Sequence, residues 1–216
     1  MFTGIIEATG ELKKLEAKGG DLRVTIVSSS LDFADVKLGD SIASNGVCLT
    51  VTAKGTDWFC ADLSAETLKR TLFGQYKQGQ RINLEKALLP TTRLGGHLVS
   101  GHVDGVATIS KIQAEGRAWQ VFVNAPAELG RYIAEKGSVT IDGISLTVNE
   151  LIGQEFRLTI VPHTAMETTM SHWRVGSVVH IEVDLIARYL ERLLRPTDDT
   201  NKAGISLSLL QQSGFL

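Results

Sequence analysis

The sequence repeats itself once, at a constant offset of 97 positions and without a gap. Gly101 stands 97 residues after Gly4, and Gly143 stands 97 residues after Gly46. The same offset superimposes further identical residues along each half: Phe59 on Phe156, Thr67 on Thr164, Thr71 on Thr168, Gly79 on Gly176 and Glu85 on Glu182. One register held this long predicts two homologous domains, at residues 1–96 and 97–183, and two copies are too few for a solenoid or a propeller.

Composition and charge narrow the class of protein. With 43% hydrophobic and 21% charged residues the chain is typical of a globular protein, and a net charge of −2 offers no basic surface for nucleic acid. Two cysteines, Cys48 and Cys60, are too few for a disulfide framework and lack zinc-ligand spacing. The start Met-Phe-Thr-Gly has no basic segment followed by an apolar run, so no signal sequence is expected, and no stretch approaches the ~18 apolar residues of a membrane span. The cytoplasm is the expected location.

Short segments in which apolar and polar residues alternate dominate both halves, at residues 22–26, 47–51, 119–123 and 156–160. This period of two predicts half-buried antiparallel strands, about six in each half. Asn45-Gly46 and Asp142-Gly143 lie between apolar runs, where they predict type I′ turns. Six short strands in ~95 residues fit a small closed barrel. Short helical patterns are expected near residues 31–36, 66–72, 126–135 and 164–172.

An amphipathic helix is predicted at residues 184–196, after the second copy, and it ends at Pro196. Its apolar stripe contains Leu185, Ile186, Tyr189, Leu190, Leu193 and Leu194. The stripe covers either the chain's own barrels or the same helix of another subunit. The second alternative is favoured, because a terminal helix outside the barrels is well placed for association. Residues 197–216 form a tail without an assigned role.

Residues that match between the copies mostly serve the fold. Gly4 and Gly101 are either bulges or places where a flat ligand approaches the backbone. Thr50 and Thr147 could bond the same edge of a ligand in each copy, although a surface threonine on a strand is the commoner explanation. His97 and His102 stand five residues apart, which suits neither one helix face nor one strand face.

Positions that differ between the copies point to chemistry. Four of them exchange one functional group for another: Ile5 for His102, Cys48 for Ser145, Glu66 for His163 and Gly39 for Lys136. Two similar pockets would then bind alike and react differently, with His102, Ser145 and Lys136 in one and Cys48 and Glu66 in the other. For any single exchange, drift after duplication is the simpler explanation, because a titratable side chain becomes a site candidate only inside a cleft.

Four segments resemble the signature of the riboflavin synthase family, α-chain type: residues 1–5, 45–51, 95–103 and 142–148. The resemblance covers both halves and the terminal helix. It implies an all-β fold of two six-stranded Greek-key barrels, with a C-terminal helix that joins three chains into a homotrimer. The implied reaction is a dismutation of two molecules of 6,7-dimethyl-8-ribityllumazine to riboflavin and 5-amino-6-(ribitylamino)uracil, which requires no cofactor or metal.

The resemblance also implies two substrate pockets. The N-terminal pocket would be lined by Gly4, Ile5, Ile6, Ser41, Cys48, Leu49, Thr50, Asp62, Leu63, Ser64, Ala65, Glu66 and Thr67. The C-terminal pocket would be lined by Gly101, His102, Val103, Lys136, Ser145, Leu146, Thr147, Ile160, Val161, Pro162, His163, Thr164 and Ala165.

Three of these residues are the candidates for catalysis. His102 is expected to transfer a proton, because an imidazole titrates near neutral pH. Cys48 and Ser145 are expected to assist or hold a nucleophile. The alternative function is that of the lumazine and yellow fluorescent proteins, which hold a lumazine or flavin as an antenna without reacting it. Cys48, Thr50, His102 and Ser145 are all present here, and this favours the enzyme.

Overall fold

The computed structural model describes residues 1–194 and 211–214. The first half contains seven strands: β1 (Ala8–Lys18), β2 (Asp21–Val27), β3 (Ser41–Ser44), β4 (Val47–Thr50), β5 (Ala53–Lys54), β6 (Trp58–Leu63) and β7 (Arg81–Lys86). The second half contains six: β8 (Gly105–Glu115), β9 (Ala118–Asn124), β10 (Ser138–Ile141), β11 (Ile144–Ile152), β12 (Glu155–Ile160) and β13 (Val178–Val183). The α-helices are α1 (Ala65–Arg70), α2 (Pro162–Glu167) and α3 (Leu185–Leu194), and short 3-10 helices span Leu72–Gly74, Ala127–Tyr132 and Thr169–His172.

Both halves are antiparallel barrels with the same strand order. The second sheet closes in the order β10-β11-β12-β9-β8-β13, and the first has the order β4-β3-β7-β1-β2-β6-β5. β4 and β5 are successive parts of one strand, interrupted at Val51 and Thr52, and the Thr52 N–H donates to the carbonyl of Cys60 on β6. When β4 and β5 are counted as one strand, the first barrel has six strands in the same order as the second. The predicted pair of six-stranded barrels is confirmed.

Each barrel has its own core, made by the inward residues of its strands. Phe59 and Phe156, which the repeat superimposes, are almost fully buried in the first and second core. Leu49 and Leu146 point inward in the same way, at equivalent positions of β4 and β11. Burying one such side chain contributes about 1.5–3 kcal/mol, so each barrel has its own hydrophobic stabilisation.

The two predicted turns are present and lie against each other. Asn45 and Asp142 both have φ 46°, and the glycine that follows each of them has φ 81°, as a type I′ turn requires. A Cβ atom on Gly46 would lie 2.9 Å from the Gly143 nitrogen, which leaves no room for a side chain. Because Gly46 and Gly143 are equivalent in the repeat, the barrels meet here about a pseudo-twofold axis.

Two hydrogen bonds made by Asn83 and two made by its equivalent His180 join the barrels. The Asn83 side chain donates to the carbonyl of Asp142 (2.9 Å) and accepts from the Thr169 N–H (2.7 Å). Its equivalent, His180, donates from Nδ1 to the carbonyl of Asn45 (2.8 Å) and accepts at Nε2 from the Leu72 N–H (2.8 Å). A neutral imidazole therefore does in the second barrel what a carboxamide does in the first.

The helical predictions were right at three places and wrong at one. Residues 66–72, 126–135 and 164–172 contain α1, α2 and the 3-10 helices. Residues 31–36 form bends instead, because polar side chains take the backbone donors at the start of this segment. The Ser28 hydroxyl accepts from the Leu31 N–H, and Asp32 Oδ1 accepts from the Ala34 N–H.

The predicted terminal helix is present as α3, over ten residues. One face carries Tyr189, Leu190 and Leu193, which are 64%, 53% and 80% exposed. Pro196 and the segment from residue 195 to 210 lie outside the described residues. No helix among the described residues is long and apolar enough to cross a membrane.

Candidate functional site

The segments that precede the two barrels pair with each other. The Phe2 N–H donates to the Val99 carbonyl (2.8 Å), and the Val99 N–H donates to the Phe2 carbonyl (3.1 Å). These residues are equivalent in the repeat, so this bridge also lies on the pseudo-twofold axis. The residues that follow Phe2 and the residues that follow Val99 are therefore expected to make equivalent contacts, each with the opposite barrel.

Each of these segments contacts a strand of the opposite barrel. The Ser145 N–H donates to the Gly4 carbonyl (2.7 Å), and the Cys48 N–H donates to the Gly101 carbonyl (2.9 Å). A Cβ atom on Gly4 would lie 2.6 Å from Ser145 Cβ, and one on Gly101 would lie 2.7 Å from Cys48 Cβ. Gly4 and Gly101 are therefore required because two segments of the chain approach each other closely at these points, and not because the strand bulges there.

This crossing corrects the grouping of the predicted pocket residues. Ile6 packs on the core of the second barrel, and Val103 packs on the core of the first. Gly4 and Ile6 thus lie against the second barrel, and Gly101 and Val103 lie against the first. The predicted pockets grouped residues 4–6 with Cys48 and residues 101–103 with Ser145; the backbone contacts instead join Gly4 to Ser145 and Gly101 to Cys48, because the repeat identifies equivalent residues, whereas neighbours come from tertiary packing.

We propose two candidate sites and name them by their central residues. The Ser145 site comprises Gly4–Ile6, Lys136, Ser145–Thr147 and residues 160–165. The Cys48 site comprises Ser41, Cys48–Thr50, residues 62–67 and Gly101–Val103. In each site the second strand of a hairpin lies against the strand that leads into a short helix, since β11 pairs with β12 and β4 contacts β6.

Two buried glutamates hold the crossing segments in place. Glu85 accepts hydrogen bonds from the Thr3 N–H (2.6 Å), the Thr3 hydroxyl (2.6 Å) and the Gly4 N–H (2.9 Å). Glu182 accepts from the Ser100 N–H (2.7 Å), the Ser100 hydroxyl (2.7 Å) and the Gly101 N–H (3.1 Å). Burial raises the pKa of both carboxyls. The sequence repeat showed that Glu85 and Glu182 are equivalent, but it did not indicate that they bind the segments that precede the barrels.

The Cys48 site presents polar groups on the outer face of its barrel. Ser41 pairs with Thr50 across β3 and β4, which places both on the face that carries Cys48. The His102 side chain is exposed, and the backbone N–H of His102 donates to the Ser100 hydroxyl (3.2 Å). Asp62 is held by two hydrogen bonds of 2.6 Å from the Arg23 guanidinium, which keep the pKa of that carboxyl below its usual value.

The Ser145 site has a different chemical character. Here His102 is replaced by the exposed Ile5, and the Ser145 hydroxyl contacts His97, a residue that sequence reasoning left without a role. Lys136 is exposed and has φ 64°, where the equivalent Gly39 has φ 91°. A lysine therefore adopts a left-handed conformation that favours glycine.

The helices at the ends of the two sites also differ. Ser64 caps α1 by accepting from the Thr67 N–H (3.2 Å), and Glu66 pairs with Arg70 on the exposed face. In α2 the first position is Pro162 and His163 is exposed. The exchange of Glu66 for His163 thus places an anion at one site and an imidazole at the other.

A cavity of about 560 Å³ lies between the first barrel and the segment that links the barrels. It contains Ser41 and Ile5 from the predicted set, but not Cys48, His102 or Ser145. Outside this cavity, His102 is exposed, and Cys48 and Ser145 are half-buried. Among the described residues, no group of three or more His, Cys, Asp or Glu is arranged to hold a metal ion.

Comparison with known proteins gives one family. A family model described as the lumazine binding domain matches residues 3–87 and again residues 100–184, at the offset of the repeat. The chain is 55% identical to riboflavin synthase of Photobacterium phosphoreum over 219 residues, and 39% identical to that of Bacillus subtilis (strain 168) over 216, with 100% of each chain covered.

Solved structures of LumP share the fold. The complex with 6,7-dimethyl-8-(1′-D-ribityl) lumazine has a TM-score of 0.76 at 24% identity, and the complex with riboflavin has 0.78 at 25%. Each comparison covers 85% of this chain and 99% of the other.

Proposed function

We propose that this chain, which belongs to the riboflavin synthase family of transferases, converts two molecules of 6,7-dimethyl-8-ribityllumazine into one riboflavin and one 5-amino-6-(ribitylamino)uracil. The curated relatives that match over the full length, at up to 55% identity, are riboflavin synthases, and this makes the chain an enzyme. The observation that supports this particular reaction is the pair of equivalent sites with unequal side chains. A dismutation needs such a pair, because one molecule gives a four-carbon unit and an identical molecule accepts it.

The Cys48 site is the better place for proton transfer. The C7 methyl group of a lumazine is acidic, because its anion delocalises into the ring, so a moderate base can remove a proton from it. His102 is an exposed imidazole on the segment that contacts Cys48, and it is our proposed proton-transfer group. Ile5 occupies the equivalent place in the Ser145 site and cannot serve as a base.

The Ser145 site is the better place for a nucleophile or a held water. Ser145 lies beside Gly4, and Lys136 supplies a cation at the same site. Cys48 is the corresponding candidate in the other site. Most of the rate would come from positioning, because two bound rings held in register react as one complex.

We further propose that the active enzyme is a homotrimer joined through α3. His102 is exposed, and Cys48 and Ser145 are half-buried, so a site of one chain can be completed by the other kind of site on a neighbour. The exposed Tyr189, Leu190 and Leu193 recur at helical spacing, as a helix that packs on its own copies requires. Two free cysteines, Cys48 and Cys60, agree with our proposal of a cytoplasmic enzyme.

The alternative is a lumazine-binding protein without a reaction. The LumP structures favour it through their bound lumazine and riboflavin, but they are 24–25% identical to this chain, against 55% for a synthase. Both sites here also retain their reactive side chains. The synthase is therefore the preferred function.

A product count distinguishes the two functions. Purified protein is incubated with 6,7-dimethyl-8-ribityllumazine, and the substrate and both products are quantified by chromatography. The proposed reaction yields one riboflavin for every two lumazines consumed. A bound lumazine that is recovered unchanged would identify a binding protein instead.

A further inference from the structure

The Ser145 hydroxyl belongs to a short chain of hydrogen bonds that runs into the protein. His97 Nδ1 lies 2.7 Å from Ser145 Oγ, and His97 Nε2 lies 3.3 Å from Thr140 Oγ1. His97 is only 9% exposed, and its backbone N–H donates to the Thr3 carbonyl (3.1 Å). The imidazole is therefore fixed both by its main chain and by its two ring nitrogens.

This chain of hydrogen bonds has no equivalent at the Cys48 site. Thr140 pairs with Ser145 across β10 and β11, just as Ala43 pairs with Cys48 across β3 and β4, and an alanine offers no hydrogen bond. Asp184, whose charge acts on His97, is replaced by Ala87. His97 itself has no partner in the repeat, because it lies between the two matched segments, residues 3–87 and 100–184.

A neutral imidazole carries one proton, and the two contacts of His97 are compatible with either tautomer. In one tautomer Ser145 donates to Nδ1, and the proton on Nε2 points to Thr140 across the longer contact. Burial lowers the pKa of His97, which agrees with a neutral ring that can accept this bond.

We propose that His97 is a positioning residue that holds the Ser145 proton on the imidazole side, so that the lone pairs of the serine oxygen face the Ser145 site. The inference rests on the proposed function, and it identifies what that site recognises: a water or a ring N–H that donates to Ser145. It also explains the inequality of the two sites, because the Cys48 thiol has no such histidine.

Kinetics test the inference by a double-mutant cycle. H97A is expected to lower kcat by about tenfold and to change KM for the lumazine by less than about threefold. S145A should have a similar effect, and the H97A/S145A double variant should be no slower than S145A. H97N places an amide oxygen near Nδ1 and should recover part of the rate. H172N, at an exposed histidine outside both sites, is the control. Additive losses in the double variant would overturn the inference.

A measurement without turnover separates this inference from the proposed reaction. The ¹⁵N NMR shifts of His97, assigned by comparison with H97N, should show a neutral ring protonated at Nε2, and S145A should shift the Nδ1 resonance. A proton on Nδ1, or no response to S145A, would overturn the role of His97 even if riboflavin is made. If no riboflavin is made, the reaction fails, and the NMR result still decides the role of His97.

Discussion

Asp142 Oδ1 lies 3.8 Å from His180 Nδ1, and both side chains are buried where the first barrel has Asn45 and Asn83. Burial raises the pKa of Asp142 from 3.8 to about 7 and lowers that of His180 from 6.5 to about 4. Between these values the folded pair carries one proton, on Asp142, and the unfolded pair also carries one, on His180. The pH dependences that the two groups give to stability therefore cancel in this range, and the stability of the pair depends as little on pH as that of its neutral asparagine equivalents.

Removing one member of this pair should reveal a pH dependence. In D142N only His180 remains, and the unfolded state binds more protons than the folded state. The free energy of unfolding should then rise as pH increases from about 4 to 6.5, by up to about 1.4 kcal/mol per pH unit. In H180N the folded state binds more protons at Asp142, so stability should fall as pH rises towards about 7.

Urea unfolding across this pH range measures both slopes. The D142N/H180N double variant reproduces the asparagine pair of the first barrel and serves as the control, with a slope close to that of the unmodified protein. Slopes of the same sign in the two single variants would contradict the assignment.

Much of the fold follows from the sequence, because its patterns are local. The repeat and the Asn45-Gly46 and Asp142-Gly143 turns predicted two similar barrels. The crossing of Gly4 onto Ser145 could not be predicted this way, because it depends on how the barrels pack. His97 was equally hidden, since it lies in the segment between the copies and comparison of the repeats gives it no counterpart. The site residues were identifiable from the family resemblance, but their grouping needed the structure.

The left-handed backbone conformation of Lys136 should reduce the free energy of unfolding. We expect the lysine to be kept there because its ammonium group contributes to activity. K136G and K136A both remove the ammonium group, but only K136A retains a Cβ atom at φ 64°. K136G should therefore be more stable than K136A by about 1 kcal/mol, and both should have lower activity than the unmodified protein. Chemical unfolding and steady-state rates provide the comparison. Equal stability of the two variants would show that the backbone is unstrained.

Alanine at Gly4 or Gly101 should damage one site each. In G4A the new Cβ atom overlaps Ser145, so the Ser145 site should lose its lumazine while the Cys48 site retains its own, and G101A should do the reverse. G153A is the matched control, because Gly153 has φ 62° and open space around it. Fluorescence titration should give two bound lumazines per chain for G153A and one for each site variant. Loss of both lumazines in G4A would contradict two separable sites.

His102 is expected to act in the reaction more than in binding. H102Q keeps a polar side chain of similar reach but cannot accept and release a proton near neutral pH. We expect kcat to fall by about a hundredfold or more, while the affinity for one lumazine changes by only a few fold. H172Q provides the histidine control. Equal losses of kcat and affinity would show that His102 only binds.

Glutamate on the apolar face of α3 should separate the subunits. The L190E/L193E variant places two carboxylates where the proposed trimer packs helix on helix, and burying an unpaired charge is strongly unfavourable. Light scattering should report a mass near the 23.4 kDa of one chain, and riboflavin formation should be lost with the assembly. R192E, on the exposed polar side of the same helix, is the control and should keep the assembled mass. A variant that dissociates but retains full activity would show that each chain completes its own sites, and a mass near three chains would show that α3 does not hold the trimer.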